Sequence, residues 1–283
     1  MENFQKVTLE PTASMTLILG QRIYKNNEHI TKYMERIDLS SGFQAAKNLN
    51  AVAHLAEEAM LNRKFFYHES IFNRIESNQY NSQIYILGVG YDPISVHILD
   101  THSDAIENIV EIDISDFNKK KSIFEAINVP HLEKIKFVQA NVITSNLIDI
   151  VRQYGYDDHK PSIITLEGLM YYMDERHFKG LLTSFKSPFK NNSFCVDYIF
   201  PHEEAPTEEL RMIHKRSNEV VEKHANMKLT LYTKSKIVEL VESIGGVNIE
   251  VSSQREIEFR RKGSNHAFKT EKEGGFEFMT FNI

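Results

Sequence analysis

The residues best suited to chemistry sit where apolar runs of this chain stop. Ile84-Tyr85-Ile86-Leu87-Gly88-Val89-Gly90-Tyr91-Asp92 is an apolar stretch that ends in two glycines and an acid. Gly88 and Gly90 remove side chains where a backbone must turn sharply or lie against a ligand, and Asp92-Pro93 reads as an N-cap followed by proline at the first helical position. A strand, a glycine turn and a helix start form a nucleotide site. The same residues also suit an ordinary βα turn. Asp113 ends a second apolar run, and a carboxylate there can accept hydrogen bonds from both hydroxyls of a ribose; its alternative is a solvated acid beside a helix start, like its neighbour Asp116. Asn141 follows a third run, where its amide suits either an adenine edge or a turn. Glu167 ends a fourth, in Leu166-Glu167-Gly168-Leu169.

Elements that would hold these residues follow from hydrophobic periodicity. Residues 1–80 read as helical. Met15, Ile18, Leu19 and Ile23 make one stripe after Pro11; Ala45, Ala46, Leu49, Val52, Ala53 and Ala56 make a second after Gly42, running to Met60. A third helix opens at Arg63-Lys64-Phe65-Phe66 and ends before Ser77-Asn78. These helices either cap a cleft or complete the core. From residue 84 the pattern alternates. Strands are expected at 84–89, 108–113, 135–138, 162–166 and 193–198, with helices between them at 93–99, 116–127, 144–153 and 174–185. Helices over 206–225 and 234–244 and strands over 247–251 and 276–281 complete seven strands. Strands this apolar belong to a sheet covered on both faces.

Composition narrows the function. The chain has 283 residues, 41% hydrophobic and 25% charged, with 33 basic against 39 acidic residues. That balance gives no basic footprint for nucleic acid or an anionic membrane, so a small-molecule or peptide partner is expected. Cys195 is the single cysteine; it permits neither an intrachain disulfide nor a cysteine metal cluster, and no metal site is expected. His202, His214 and His224 lack ligand spacing on one face. No apolar signal core or membrane-length run is visible, which leads to an expected cytoplasmic location. Oligomeric state is left open.

Together the glycine turn ILGVGYD, the strand VEID, the segment LEGLMYYM and the earlier NRKFF resemble the leucine carboxyl methyltransferase family of class I S-adenosylmethionine (SAM)-dependent methyltransferases, including its bacterial small-molecule members. The resemblance covers nearly the whole chain. It implies an α/β, Rossmann-like, seven-stranded and mostly parallel sheet with an antiparallel last strand, bearing an N-terminal helical cap (1–80) on a SAM-binding domain (81–283) with an inserted helical lid (201–245). SAM is the implied cofactor, and methyl transfer to an oxygen, often of a carboxylate, the implied reaction. By position Arg63 is similar to the family arginine that pairs with the SAM carboxylate, a task suited to a bidentate guanidinium. Gly88 and Gly90 would let the backbone approach SAM, Asp113 would hold the ribose, Asn141 with Val142 the adenine, and Glu167 the methionyl end. Three positions depart from the family. Pro93 replaces a hydroxyl residue after the glycines, Asn141 replaces an acid, and apolar Leu17 stands where phosphatase-methylating members carry a basic residue, with Arg22 a turn further on.

A carboxylate acceptor is already an anion and needs only to be held in line with the activated methyl. Tyr172 and Tyr198, both near strand ends, either line an acceptor pocket or pack. Arg211, Lys215, Arg255, Arg260 and Arg261 either bind an acidic acceptor or form a solvated face. N- or S-methylation and SAM binding without turnover compete with this reading. A nicotinamide-dependent oxidoreductase fits less well, because Pro93 replaces the third glycine of its fingerprint.

Overall fold

A computed structural model describes residues 6–47, 53–78 and 81–283. Its N-terminal part comprises β1 (Val7–Thr8), α1 (Pro11–Gly20), α2 (Glu28–Glu35), β2 (Ile37–Asp38), α3 (Ser40–Lys47) and α4 (Ala53–Ser77). There follow β3 (Ser82–Leu87), α5 (Ile94–His102), β4 (Ile106–Asp113), α6 (Asn118–Ala126), β5 (Ile135–Gln139), α7 (Leu147–Gln153), β6 (Ser162–Leu166), α8 (Glu175–Ser184) and β7 (Ser193–Ile199). The chain closes with α9 (Glu208–Ala225), α10 (Lys234–Ser243), β8 (Val247–Ser252), α11 (Gln254–Lys262) and β9 (Phe276–Asn282). β1 and β2 make a small parallel pair. The remaining seven strands form one sheet in the order β5-β4-β3-β6-β7-β9-β8, parallel except for β9, which runs antiparallel between β7 and β8. This is the sheet expected from the sequence.

Every residue of β3, β6 and β7 is buried, which explains why their side chains are mostly apolar, with Asp197 of β7 the charged exception. Successive side chains of a strand point to opposite faces, so β3 feeds two cores. Ile84 and Ile86 join Val96 and Ile98 of α5, Phe124 of α6 and Phe66, Ile71 and Ile75 of α4. Tyr85 and Leu87 join Val151 of α7, Phe178 of α8 and Ile237 and Leu240 of α10. After β5 the chain returns to β6 on the far side of β3, so the order reverses between β3 and β6. Ligands of such sheets bind in the crevice beyond the carboxyl ends of the strands at that reversal.

Several sequence expectations change. The two helices expected on either side of residue 61 are, from Ala53 to Ser77, one helix about 37 Å long at 1.5 Å per residue; no glycine or proline interrupts that stretch. Leu49 and Val52 of the expected second stripe lie outside the described residues. α2 and α11 were not expected. Both are capped: Asn27 Oδ1 accepts from the Ile30 N–H at 2.8 Å, and Ser253 with Glu256 forms a capping box. The expected lid divides. Ile237, Leu240 and Val241 bury α10 in the second core, and no α9 side chain belongs to either core among the described residues.

Candidate active site

A cavity of about 340 Å³ lies at the reversal, between α1 and the ends of β3 and β6. Its floor is the glycine turn, with Gly88 at φ +70° and Gly90 at φ +51°. A side chain at Gly88 would press on Leu169 at 3.1 Å, whereas Gly90 faces open space, where a ligand can lie against its backbone. The Gly90 N–H donates to Asp113 Oδ2 at 2.9 Å and the Ser115 N–H to Asp113 Oδ1 at 2.8 Å, so the carboxylate at the end of β4 is locked against the turn. Each of its oxygens keeps lone-pair capacity for a further donor.

α4 supplies the charge. Arg63 and Lys64 are 8% and 2% exposed, and both line the cavity. Arg63 Nη2 pairs with Asp197 Oδ2 at 3.0 Å, its guanidinium stacks on Phe276 at 4.2 Å, and its Nε has no hydrogen-bond partner among the described residues. Asp197 also accepts from the Tyr67 hydroxyl and the Gly168 N–H, each at 2.7 Å. Lys64 bridges two carboxylates, Asp92 and Glu167, the latter at 2.5 Å. Burial works against the ammonium, but these two anions hold it protonated. The acids separate. Partial burial works to raise Asp92, yet Lys64 and the hydroxyl of Tyr24, which donates to Oδ1 at 2.7 Å, keep it below the usual carboxylate range. Burial pushes Glu167 up, and the charge of Asp92 adds to the push against the pull of Lys64. Behind this group His68 packs on Tyr24 and His97, and burial followed by the nearby His97 lowers it to about 3, so it is neutral at pH 7.

Of the residues singled out from sequence, Arg63, Gly88, Gly90, Glu167 and Tyr172 line the cavity. Asp113 adjoins it through Gly90. Asn141 follows β5; its Oδ1 accepts from the Ile143 N–H at 2.9 Å, and Val142 beside it is buried. Tyr198 does not line the pocket. It is fully buried in the second core and donates to Glu277 at 2.6 Å. Strand alternation is the reason: the cavity side of β7 belongs to Asp197, one residue earlier. The arginine group is also corrected. Arg255, Arg260 and Arg261 pair with Glu271, Glu69 and Glu58 at 3.7, 3.2 and 2.5 Å, Arg211 donates to the Ala205 carbonyl, and neither these residues nor exposed Lys215 lines the cavity. No residue of 201–245 lines it either; its roof is α1, through Thr12, Ala13, Thr16 and Leu17. Arg22 points away to Glu57 at 2.8 Å.

Lys64, Asp92, Asp197 and Tyr171 are the site residues that sequence reasoning missed. NRKFF carries two adjacent cations, and only the first was read as functional. A larger concavity of about 760 Å³ lies against β5, lined by Asp116, Lys121, Glu133 and Lys136 among others, away from the strand reversal.

A sheet of this order with its reversed strand, and a cavity roofed by an added helix at the switch point, define the class I methyltransferase fold. The leucine carboxyl methyltransferase model matches residues 22–186, more than half of the chain, and the chain belongs to that family. It is a SAM-dependent methyltransferase, with SAM as methyl donor. Among solved structures, a candidate methyltransferase from Thermobifida fusca YX is 15% identical and superposes with a TM-score of 0.61, covering 99% of this chain and 96% of that one. The small RNA methyltransferase HEN1 is 14% identical with a TM-score of 0.50, covering 77% of this chain and 25% of that one. An S-adenosylmethionine-dependent methyltransferase from Mesorhizobium loti is 14% identical with a TM-score of 0.48, covering 76% and 96%. These likenesses concern the fold. No curated protein sequence matches the chain significantly.

Proposed function

We propose that this enzyme methylates a carboxylate oxygen of a small molecule. The observation that carries the reading is that both acids lining the cavity, Asp92 and Glu167, are already bound to Lys64, while His68 behind them, lowered to about 3 by burial, is too weak a base to take a proton from an acceptor. An acceptor that arrives as an anion has no proton to give up. Bound SAM supplies a sulfonium methyl; the acceptor oxygen forms the new bond to it as the carbon–sulfur bond breaks, with the electron pair passing to sulfur and no proton released. The net charge of -6 also suits a small acid better than a nucleic acid.

In this reading Arg63 holds the SAM carboxylate through the guanidinium edge that Asp197 leaves free. Glu167 faces the amino group, Gly88 and Gly90 admit the methionyl chain, and Asp113 takes the ribose. Asn141 and Val142 border the adenine, the first through the amide nitrogen left over when its oxygen caps the turn. Two cations against three carboxylates, Asp92, Glu167 and Asp197, leave a net negative cluster that complements the net positive charge of SAM. Tyr172, whose ionisation burial suppresses, donates to the acceptor. Residues 1–80 serve as the cap over the remaining SAM-binding domain, and α1 is the part that covers the acceptor.

Asp113→Ala should weaken SAM binding by about 1–3 kcal/mol, as when a charged hydrogen-bond acceptor is lost. Titration calorimetry on the folded variant checks this, and unchanged affinity would remove Asp113 from the ribose. The reaction itself is tested by product mass and pH dependence. At saturating SAM, turnover of a carboxylic acid should stay level above about pH 6, because an unperturbed carboxyl has lost its proton by then. A rate that climbs through neutral pH and is lost in Glu167→Gln, or an N- or S-methylated product, would overturn the carboxylate reading.

A further inference from the structure

We infer that the acceptor is a monocarboxylic acid whose remaining body carries no charge, held beneath α1 by Thr12, Ala13, Thr16 and Leu17 and flanked by Tyr171 and Tyr172. This rests on the carboxylate reading above and narrows its substrate class. The roof of the cavity contains two hydroxyls and two apolar side chains, and no ionisable group. Leu17 is 5% exposed, and the Thr16 hydroxyl already donates to the Thr12 carbonyl at 3.0 Å, so its oxygen is left as an acceptor for a neutral donor.

The charges elsewhere in the wall already have partners. Arg63 is paired with Asp197, and Lys64 is shared between Asp92 and Glu167. The acceptor's reacting carboxylate meets the sulfonium, the one charge of SAM that neither Arg63 nor Glu167 engages. A second carboxylate would enter a region where no cation is free among the described residues and where the surrounding cluster is net negative. An ammonium would find both wall acids already held by Lys64, with Glu167 also committed to the amino group of SAM. Either group would lose part of its water without gaining a partner, which is costly.

The test compares hexanoate with adipate and 6-aminohexanoate, and octanoate with suberate, as acceptors for SAM, with ester formation followed by mass spectrometry. Within each set the chain is matched and only the far-end charge changes. The uncharged-body acids should be esterified with kcat/KM about 100-fold above the diacids and the amino acid, as expected for a buried charge left unpaired. Thr16→Lys, at a half-buried position of the roof, should raise the adipate-to-hexanoate ratio at least tenfold in enzyme saturated with SAM. Equal or better turnover of the diacids would overturn the inference while leaving carboxylate methylation standing, and an unchanged ratio in Thr16→Lys would take α1 out of the acceptor site. Tight SAM binding with no ester from any of these acids would instead count against carboxylate methylation.

Discussion

Arg63→Lys should weaken SAM binding by about 2 kcal/mol, or about thirtyfold. Lysine keeps the positive charge on α4, but a point charge cannot engage Asp197 and an incoming carboxylate with the geometry of a planar fork. In the wild type the Nη2 edge lies against Asp197 at 3.0 Å, and Phe276 stacks on the guanidinium face at 4.2 Å. These contacts fix its orientation, and Nε remains without a partner for the cofactor to satisfy. Arg63→Ala should cost more. Asp197 is fully buried and would keep only the Tyr67 hydroxyl and the Gly168 N–H, so about 3–5 kcal/mol of folding stability should be lost as well. Calorimetric SAM titration beside denaturant unfolding separates the two effects. Wild-type SAM affinity in Arg63→Lys would make Arg63 a structural partner of Asp197 alone.

Lys64→Met should be at least as damaging, and in a pH-dependent way. Its ammonium bridges Asp92 and Glu167, and methionine would leave two half-buried carboxylates facing each other. Breaking such a pair costs about 3–5 kcal/mol, moderated here because one acid can take up a proton. That proton belongs on Glu167. Burial and the charge of Asp92 already raise it, whereas Asp92 keeps the Tyr24 hydroxyl and the Ile94 N–H. The sign follows. A Glu167 raised further is neutral over more of the pH range, so the variant's SAM affinity should be poor near neutrality and recover as pH rises and the carboxylate re-forms. Stability should move the opposite way, because an acid whose folded pKa lies above its unfolded value loses stability as pH rises through the folded pKa. Affinity and unfolding measured across pH on the same protein check both limbs. A variant with pH-independent SAM affinity would show that Glu167 does not face the cofactor.

Local periodicity and turn chemistry were enough to derive the alternation from β3 to β7 and the residues that end each strand. A strand buried on both faces is mostly apolar, and a backbone that bends toward a ligand needs glycine, so Gly88, Gly90, Asp113 and Glu167 were legible one by one. The capping box Ser253-Gln254-Arg255-Glu256 was equally legible, although α11 was not read from it. The ion pairs were not visible in this way. Arg63 meets Asp197 across 133 intervening positions of sequence, as their numbering shows, and neither residue's neighbours record that contact. Choosing Tyr198 in place of Asp197 was a one-residue error with a whole-face consequence, since a strand reverses its side chains at each step. Likewise, both α1 and α9 carry amphipathic or mixed faces, and sequence alone does not say which one covers the crevice. Packing decided it: α1 lines the cavity and α9 does not. Sequence by itself therefore determined the sheet, its glycine turn and the acids at its edge, because those depend on neighbours along the chain. The shared ammonium of Lys64, the Arg63–Asp197 pair and the uncharged roof arose only in the tertiary structure, where charges distant in sequence are buried together and must neutralise one another.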